Sequence, residues 1–235
     1  MARRRFFVDQ VRKGEAEISG EDALHLTRVL RVEVGQKFEI SDNNRVWLAS
    51  VEMARKELVR FRVIEELAAG EVVAPVTLYL ALIKFDRFEW AVEKATELGV
   101  TRIVPVEADR SERGLFAGAP KRAERWRRIA KEASEQSRRL RMPEIDEPVR
   151  IADAIKRVAT ARIWFDERPD AEPLLRVYSG SEVALAVGPE GGWTDHERAG
   201  FAAAGWKSAS LGPLVLRAET AVCAALAVVS QLQLK

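Results

Sequence analysis

The run Val183-Ala184-Leu185-Ala186-Val187-Gly188-Pro189-Glu190-Gly191-Gly192-Trp193-Thr194-Asp195-His196-Glu197 decides the fold. Its first five residues are apolar without a break, the pattern of a short strand buried on both faces of a sheet. Gly188, Gly191 and Gly192 allow close backbone approach and positive φ. Thr194 and Glu197 then have the spacing of a helix capping box. In open α/β sheets, ligands bind at the carboxyl ends of strands, where this loop falls. No Gly-Lys-Ser/Thr follows, and Gly-x-Gly-x-x-Gly is not matched, so the phosphate-gripping versions of such a loop are excluded. A glycine loop without lysine suits a nucleoside-like ligand held by backbone groups. The competing reading is a tight strand-to-helix turn that merely needs glycine.

Further short apolar runs occupy Val76–Ile83, Arg102–Val106, Ala161–Phe165 and Lys207–Leu211. Helical patterns lie between most of them. One opens with the box Asp86-Arg87-Phe88-Glu89, carries the stripe Phe88, Ala91, Val92, Ala95 and Leu98, and stops at Gly99. Another spans Glu124–Leu140, a third runs from Thr194 to Gly205, and a small apolar one starts near Glu219. Strands alternating with helices predict a mainly parallel sheet covered on both faces. Leu211-Gly212-Pro213-Leu214-Val215-Leu216-Arg217-Ala218-Glu219-Thr220 repeats the pattern of strand end, turn and helix start. Arg217, between Leu216 and Ala218, is expected to be partly buried and to need a partner.

Residues before Pro75 read differently. Arg5–Val8, Ala16–Ser19, Gln36–Ser41, Val46–Glu52 and Leu58–Glu65 are strand-like, several of them alternating, and one short helix, Glu21–Arg31, interrupts them. A small β-barrel is expected over 1–70 and an α/β domain over 74–235, joined by a linker within Glu66–Pro75.

Composition excludes several classes. One cysteine, Cys223, forbids an intramolecular disulfide, and two histidines, His25 and His196, leave a Cys/His zinc site out of reach. No apolar run approaches the ~20 residues of a membrane span. The start, Met1 to Val8, lacks a signal-peptide core. A soluble cytoplasmic protein without metal or membrane partner is expected. The 38 Lys+Arg nearly cancel the 36 Asp+Glu, for a net charge of +2. That sum hides clustering, since Lys121–Arg141 alone carries nine basic residues against three acidic. Such a field is the footprint of a nucleic-acid surface, although most charge runs are only solvated faces. Arg3, Arg4 and Arg5 beside Phe6 and Phe7 form a second basic patch. His25, Arg28 and Arg31 lie on the N-terminal helix.

The ordered set of motifs resembles one family, the RsmE family of 16S ribosomal RNA uracil-N3 methyltransferases, in the SPOUT (trefoil-knot) superfamily. The set runs from Arg5-Phe6-Phe7-Val8 and His25–Arg31 through Glu93–Val100, Arg110-Ser111 and Glu132–Arg138 to Gly188–Gly192 and Leu216–Thr220. The resemblance implies an N-terminal PUA-like RNA-binding β-barrel, a C-terminal α/β trefoil-knot domain with a mainly parallel sheet, S-adenosylmethionine as cofactor and a homodimer. It assigns the cofactor to Phe165, Gly188, Pro189, Glu190, Gly191, Gly192, Leu211, Gly212, Leu216, Arg217, Ala218 and Thr220. RNA of the small ribosomal subunit would meet Arg3, Arg4, Arg5, His25, Arg28, Arg31, Arg125, Arg128, Arg138 and Arg139. N3 of uracil exposes a lone pair only as its proton leaves. Arg217 or Arg5 is therefore a candidate to stabilise charge on the flanking carbonyl oxygens, and Glu190 or Glu219 a candidate base. Two other readings are a knotted enzyme acting on ribose 2′-OH or another base, and a non-catalytic RNA-binding assembly factor.

Overall fold

A computed structural model describes residues 4–68, 74–156, 161–168 and 171–234. Arg3 and the centre of the expected linker lie outside the described residues. Backbone contacts divide the chain into two units, 1–71 with 134–142, and 72–133 with 143–235.

In the first unit, β1 (Arg5–Phe7), β2 (Glu15–Ser19), β3 (Lys37–Ser41), β4 (Val46–Arg55) and β5 (Leu58–Leu67) form one sheet. Its order is β1-β3-β4-β5-β2, parallel at β1/β3 and antiparallel elsewhere. Register shifts between β4 and β5 at Leu48/Ala49 and Val51/Met53 mark irregularities of the kind that bend a strand. The sheet curls over a core that includes Phe6, Ile40, Val59 and Phe61. The expected helix over Glu21–Arg31 is shorter than predicted. It runs as α1 (Gly20–Leu24) and then widens into a π turn over His25–Val29. The Thr27 hydroxyl donates back to the carbonyl of Ala23 at 2.8 Å, a contact that competes with regular helix geometry. Arg31, at φ 50°, lies beyond the turn.

In the second unit the strands are β6 (Val76–Ala81), β7 (Arg102–Glu107), β8 (Glu144–Ile145), β9 (Val149–Arg150), β10 (Ala161–Phe165), β11 (Val183–Val187) and β12 (Lys207–Ala209). They pair in the order β12-β10-β11-β6-β7-β8, with β9 also on β7, and every pairing is parallel. Alternate residues feed two cores. Leu78, Leu80, Ile163, Leu185 and Val187 face α2 (Phe85–Glu97), α4 (Ala123–Gln136) and α8 (Ala218–Gln233). Tyr79, Ala81, Trp164, Ala184 and Ala186 face α5 (Ile151–Ala154) and α7 (Asp195–Ala203). All five residues of β11 are buried, which is why that strand reads as a continuous apolar run. The unit also holds the short helices α3 (Leu115–Gly118), continued by a 3-10 turn at Ala119–Arg122, and α6 (Leu174–Val177).

Two helix ends differ from expectation. Helix α2 starts one residue before Asp86, with Lys84 as N-cap and no side-chain cap, so the Asp86/Glu89 box does not form. Helix α4 ends at Gln136 rather than Leu140, followed by Arg138 at φ 57°. Residues 138–142 join the first unit as a strap. There the Ser41 hydroxyl donates to the carbonyl of Leu140 at 2.7 Å, and the Met142 amide donates to Asn43 Oδ1 at 3.0 Å. The capping box of α7 is present in full.

Candidate active site at the glycine-rich loop

The loops after β10, β11 and β12 leave the same edge of the sheet, because neighbouring strands are aligned there (Trp164 opposite Ala186, Phe165 opposite Ala209). Between them lies a cleft of about 170 Å³. Pockets that enclose a drug-sized ligand hold ~300–1,000 Å³, so a nucleoside-sized ligand here would keep one side open. Phe165, Asp166 and Glu167 form one wall, Val187–Trp193 a second, and Ser210–Gly212 with Leu214–Leu216, Ala218 and Ala221 the third.

The glycine loop is braced from all sides. Trp193, fully buried, packs under it, and a Cβ on Gly188 would stand 3.0 Å from the indole. The same indole donates Nε1–H to the carbonyl of Phe165 at 3.0 Å, tying the ends of β10 and β11 together. Gly192, at φ 66°, closes a turn by donating its amide to the carbonyl of Pro189. Arg110 reaches from the loop after β7 to donate to the carbonyl of Gly191 at 2.7 Å, and its stem fills the space a Gly191 side chain would need. Arg87, in the first turn of α2, pairs with Glu190.

Arg198 on α7 is the hub behind the wall. It donates Nε to Asp166 Oδ2 at 3.2 Å and Nη2 to Asp166 Oδ1 at 3.1 Å, and it also binds the carbonyl of Trp193. Its guanidinium is held above its ordinary pKa, chiefly by Asp166. Asp109 and Glu197 continue this bracing. The Asp109 amide donates to Glu197 Oε1, and the Thr194 hydroxyl donates to Asp109 Oδ2, both at 2.8 Å.

The charged side chains lining the cleft are Asp166, Glu167 and Glu190, and among the described lining residues none is basic. Glycines that let a ligand approach backbone, and an acidic rather than basic rim, fit a phosphate-free ligand of net positive charge.

The RNA methyltransferase domain family matches residues 71–230, and the RNA methyltransferase PUA domain family matches 18–64. The ribosomal RNA small subunit methyltransferase E of Synechocystis sp. is 33% identical over 95% of this chain and 75% of its own length. The chain belongs to this methyltransferase E family. Its Aquifex aeolicus member is 31% identical over 92% of this chain and 94% of that one. The methyltransferase E of Neisseria gonorrhoeae bound to S-adenosyl methionine superposes with a TM-score of 0.90 at 26% identity, covering 98% of both chains. Methyltransferase E membership makes the chain an α/β methyltransferase with a PUA-like curled sheet and a C-terminal parallel sheet. The cleft suits S-adenosylmethionine, whose sulfonium gives it net positive charge and which carries no phosphate.

The structure gathers most of the predicted cofactor residues in the cleft: Phe165, Gly188 to Gly192, Leu211, Gly212, Leu216 and Ala218. Arg217 and Thr220 are not among the lining residues. Leu216 and Ala218 turn inward, so the intervening Arg217, extended at φ −64° and ψ 152°, turns outward. It is exposed and makes no ion pair among the described residues, which corrects the expectation of a partly buried, partnered arginine. Arg5 is also not as expected. Its side chain is only 12% exposed and its guanidinium is held by Glu39 at 2.7 Å.

The basic residues predicted to meet RNA divide into two groups. His25, Arg28 and Arg31 are exposed around the π turn, Arg4 is half-buried, and Arg128 is exposed on α4. By contrast, Arg125 pairs with Glu89, Arg138 pairs with Glu39, and Arg139 is half-buried with Nε on the carbonyl of Arg141. Arg198, Arg87 and the indole of Trp193 were not anticipated as supports. Arg110 had a signal, its place in the Arg110-Ser111 motif, but no role.

Proposed function

We propose that this chain transfers a methyl group from S-adenosylmethionine to N3 of a uridine in 16S ribosomal RNA, giving 3-methyluridine. The observation that carries the reading is the phosphate-averse glycine cleft, in a chain that resembles relatives named for small-subunit rRNA methylation. When bound, the cofactor supplies a methyl group already activated on a sulfonium, so the protein's contribution is chiefly position and charge. Gly188, Gly191 and Gly192 bring backbone against the ligand, and Phe165, Leu211, Leu216 and Ala218 exclude water from it. Arg217, exposed at the start of α8 and without an ion pair among the described residues, donates to a uracil carbonyl oxygen and stabilises the negative charge left as the N3 proton passes to solvent water. Glu190 is paired with Arg87, and its part is to hold the loop. Arg5, committed to Glu39, is a structural tie in the first unit. RNA contact falls instead to Arg4, His25, Arg28, Arg31 and Arg128.

The working form in this reading is a homodimer in the cytoplasm, with the trefoil-knot threading of its superfamily. Leu214 and Val215, 77% and 81% exposed in a single chain at the edge of the cleft, support a second copy covering them. The test is incubation of the purified protein with S-adenosylmethionine and small ribosomal subunits from a strain deleted for this gene, followed by nucleoside mass spectrometry. New 3-methyluridine is the expected product. A 2′-O-methylated nucleoside, another methylated base, or no methylation at all would overturn the reading.

A further inference from the structure

Three carboxylates line the cleft, and they are not equivalent. Asp166 is answered on both oxygens by Arg198, and its side chain is only 4% exposed. Glu190 is answered by Arg87. Among the described residues Glu167 receives a single contact, 3.2 Å from Arg198 Nη2, and this arginine is already engaged by Asp166, the Trp193 carbonyl and Asp195. Its side chain is 44% exposed, and its Oε1 would lie 2.8 Å from a Cβ on Gly192. The carboxylate thus rests on the glycine loop, and a side chain at 192 would displace it. The cations Arg198, Arg87 and Arg110 brace the wall but do not line it.

We infer that Glu167 makes the cleft prefer a methyl donor of net positive charge over the neutral thioether that the donor becomes. The inference rests on the proposed function and sharpens it. In methyl transfer the electrons of the broken S–CH3 bond stay on sulfur, so the ligand's net charge falls by one while its shape hardly changes. Glycine backbone and apolar walls respond to shape and hold both forms alike. An incompletely compensated carboxylate on the wall responds to charge, and its attraction is lost at the moment the product forms. Glu167 therefore assists exchange of spent cofactor for fresh.

The experiment is titration calorimetry of the intact chain and its Glu167→Gln variant with three probes. These are S-adenosylmethionine, S-adenosylhomocysteine and sinefungin, which carries an amine in place of the sulfonium. The variant is expected to bind the two cationic probes about tenfold more weakly and S-adenosylhomocysteine within about twofold of the parent. Raising salt should narrow the donor-to-product affinity ratio of the parent and leave that of the variant unchanged. Equal weakening of all three probes, as expected of a structural residue, or unchanged binding of all three, overturns the inference. If the parent chain binds none of the three, the proposed function itself fails and the inference goes with it.

Discussion

Gly188→Ala tests whether the indole of Trp193 is the floor of the cofactor loop. A Cβ at this position would lie 3.0 Å from Cε2, 3.1 Å from Nε1 and 3.4 Å from Cδ2 of Trp193. Gly188 is not in the left-handed region, so backbone strain adds nothing and the clash is the whole effect. Trp193 cannot yield cheaply, because it is fully buried, meets Phe201 edge-on at 4.9 Å and holds the Phe165 carbonyl. Overpacking of this kind costs about 1–3 kcal/mol. Trp193→Phe alone removes the offending atoms but leaves the buried Phe165 carbonyl without its donor, at a cost of about 1–3 kcal/mol. The double variant should be less destabilised than the sum of the singles by about 1 kcal/mol or more, since the new methyl occupies space the indole has vacated. Guanidinium unfolding of the parent, both singles and the double measures the coupling. Strict additivity, or Gly188→Ala within about 0.5 kcal/mol of the parent, would refute the contact.

Three further outcomes follow from other parts of the molecule. Arg198→Met leaves the buried Asp166 carboxylate without its partner and should destabilise the second unit by about 3–5 kcal/mol, read by the same denaturant titration. Burial alone would raise the Glu39 carboxyl, but hydrogen bonds and charge from Arg5 and Arg138 outweigh it and hold the pKa below the ordinary 4.5. A lowered carboxylate stabilises above its unfolded pKa and loses that contribution as pH falls through the folded one. Thermal melts should therefore drop more steeply below about pH 4.5 in the parent than in Glu39→Gln, which has a lower but flatter profile. Arg217→Ala should leave stability within about 0.5 kcal/mol, because the side chain is exposed and has no ion pair among the described residues, while methylation of the RNA measured by tritium transfer falls at least about a hundredfold.

The alternation of apolar and polar residues in 58–65 and the unbroken apolar runs of β6, β10 and β11 made the two kinds of sheet legible, because each pattern follows directly from which faces are buried. The glycine loop was legible for a similar reason, since backbone freedom is written in residue type. What lay beyond reading were contacts set by distant pieces of chain. Arg198 follows the capping residue Glu197 in sequence, and nothing local ties it to Asp166, 32 residues earlier. The outward turn of Arg217 depends on where Leu216 and Ala218 find apolar partners, which only the packed helix decides. The π turn at His25–Val29 and the early stop of α4 were equally hidden, because propensity does not report a competing hydrogen bond or a residue at positive φ.

The strap of residues 138–142 bears on biogenesis. Its anchors, Ser41 with the carbonyl of Leu140, Asn43 with the amide of Met142, and Glu39 with Arg138, span about 100 residues of sequence. On the ribosome the first unit would emerge long before its last piece, and at ~5–20 residues per second the wait is roughly 4–14 s. During that interval Arg5 and Glu39 can meet, but the second cation for Glu39 has not yet been made. The N-terminal sheet thus belongs to the class of discontinuous domains, whose completion is timed by translation of the segment inserted within them. A gene cut between residues 71 and 134 would yield a barrel lacking its closing piece.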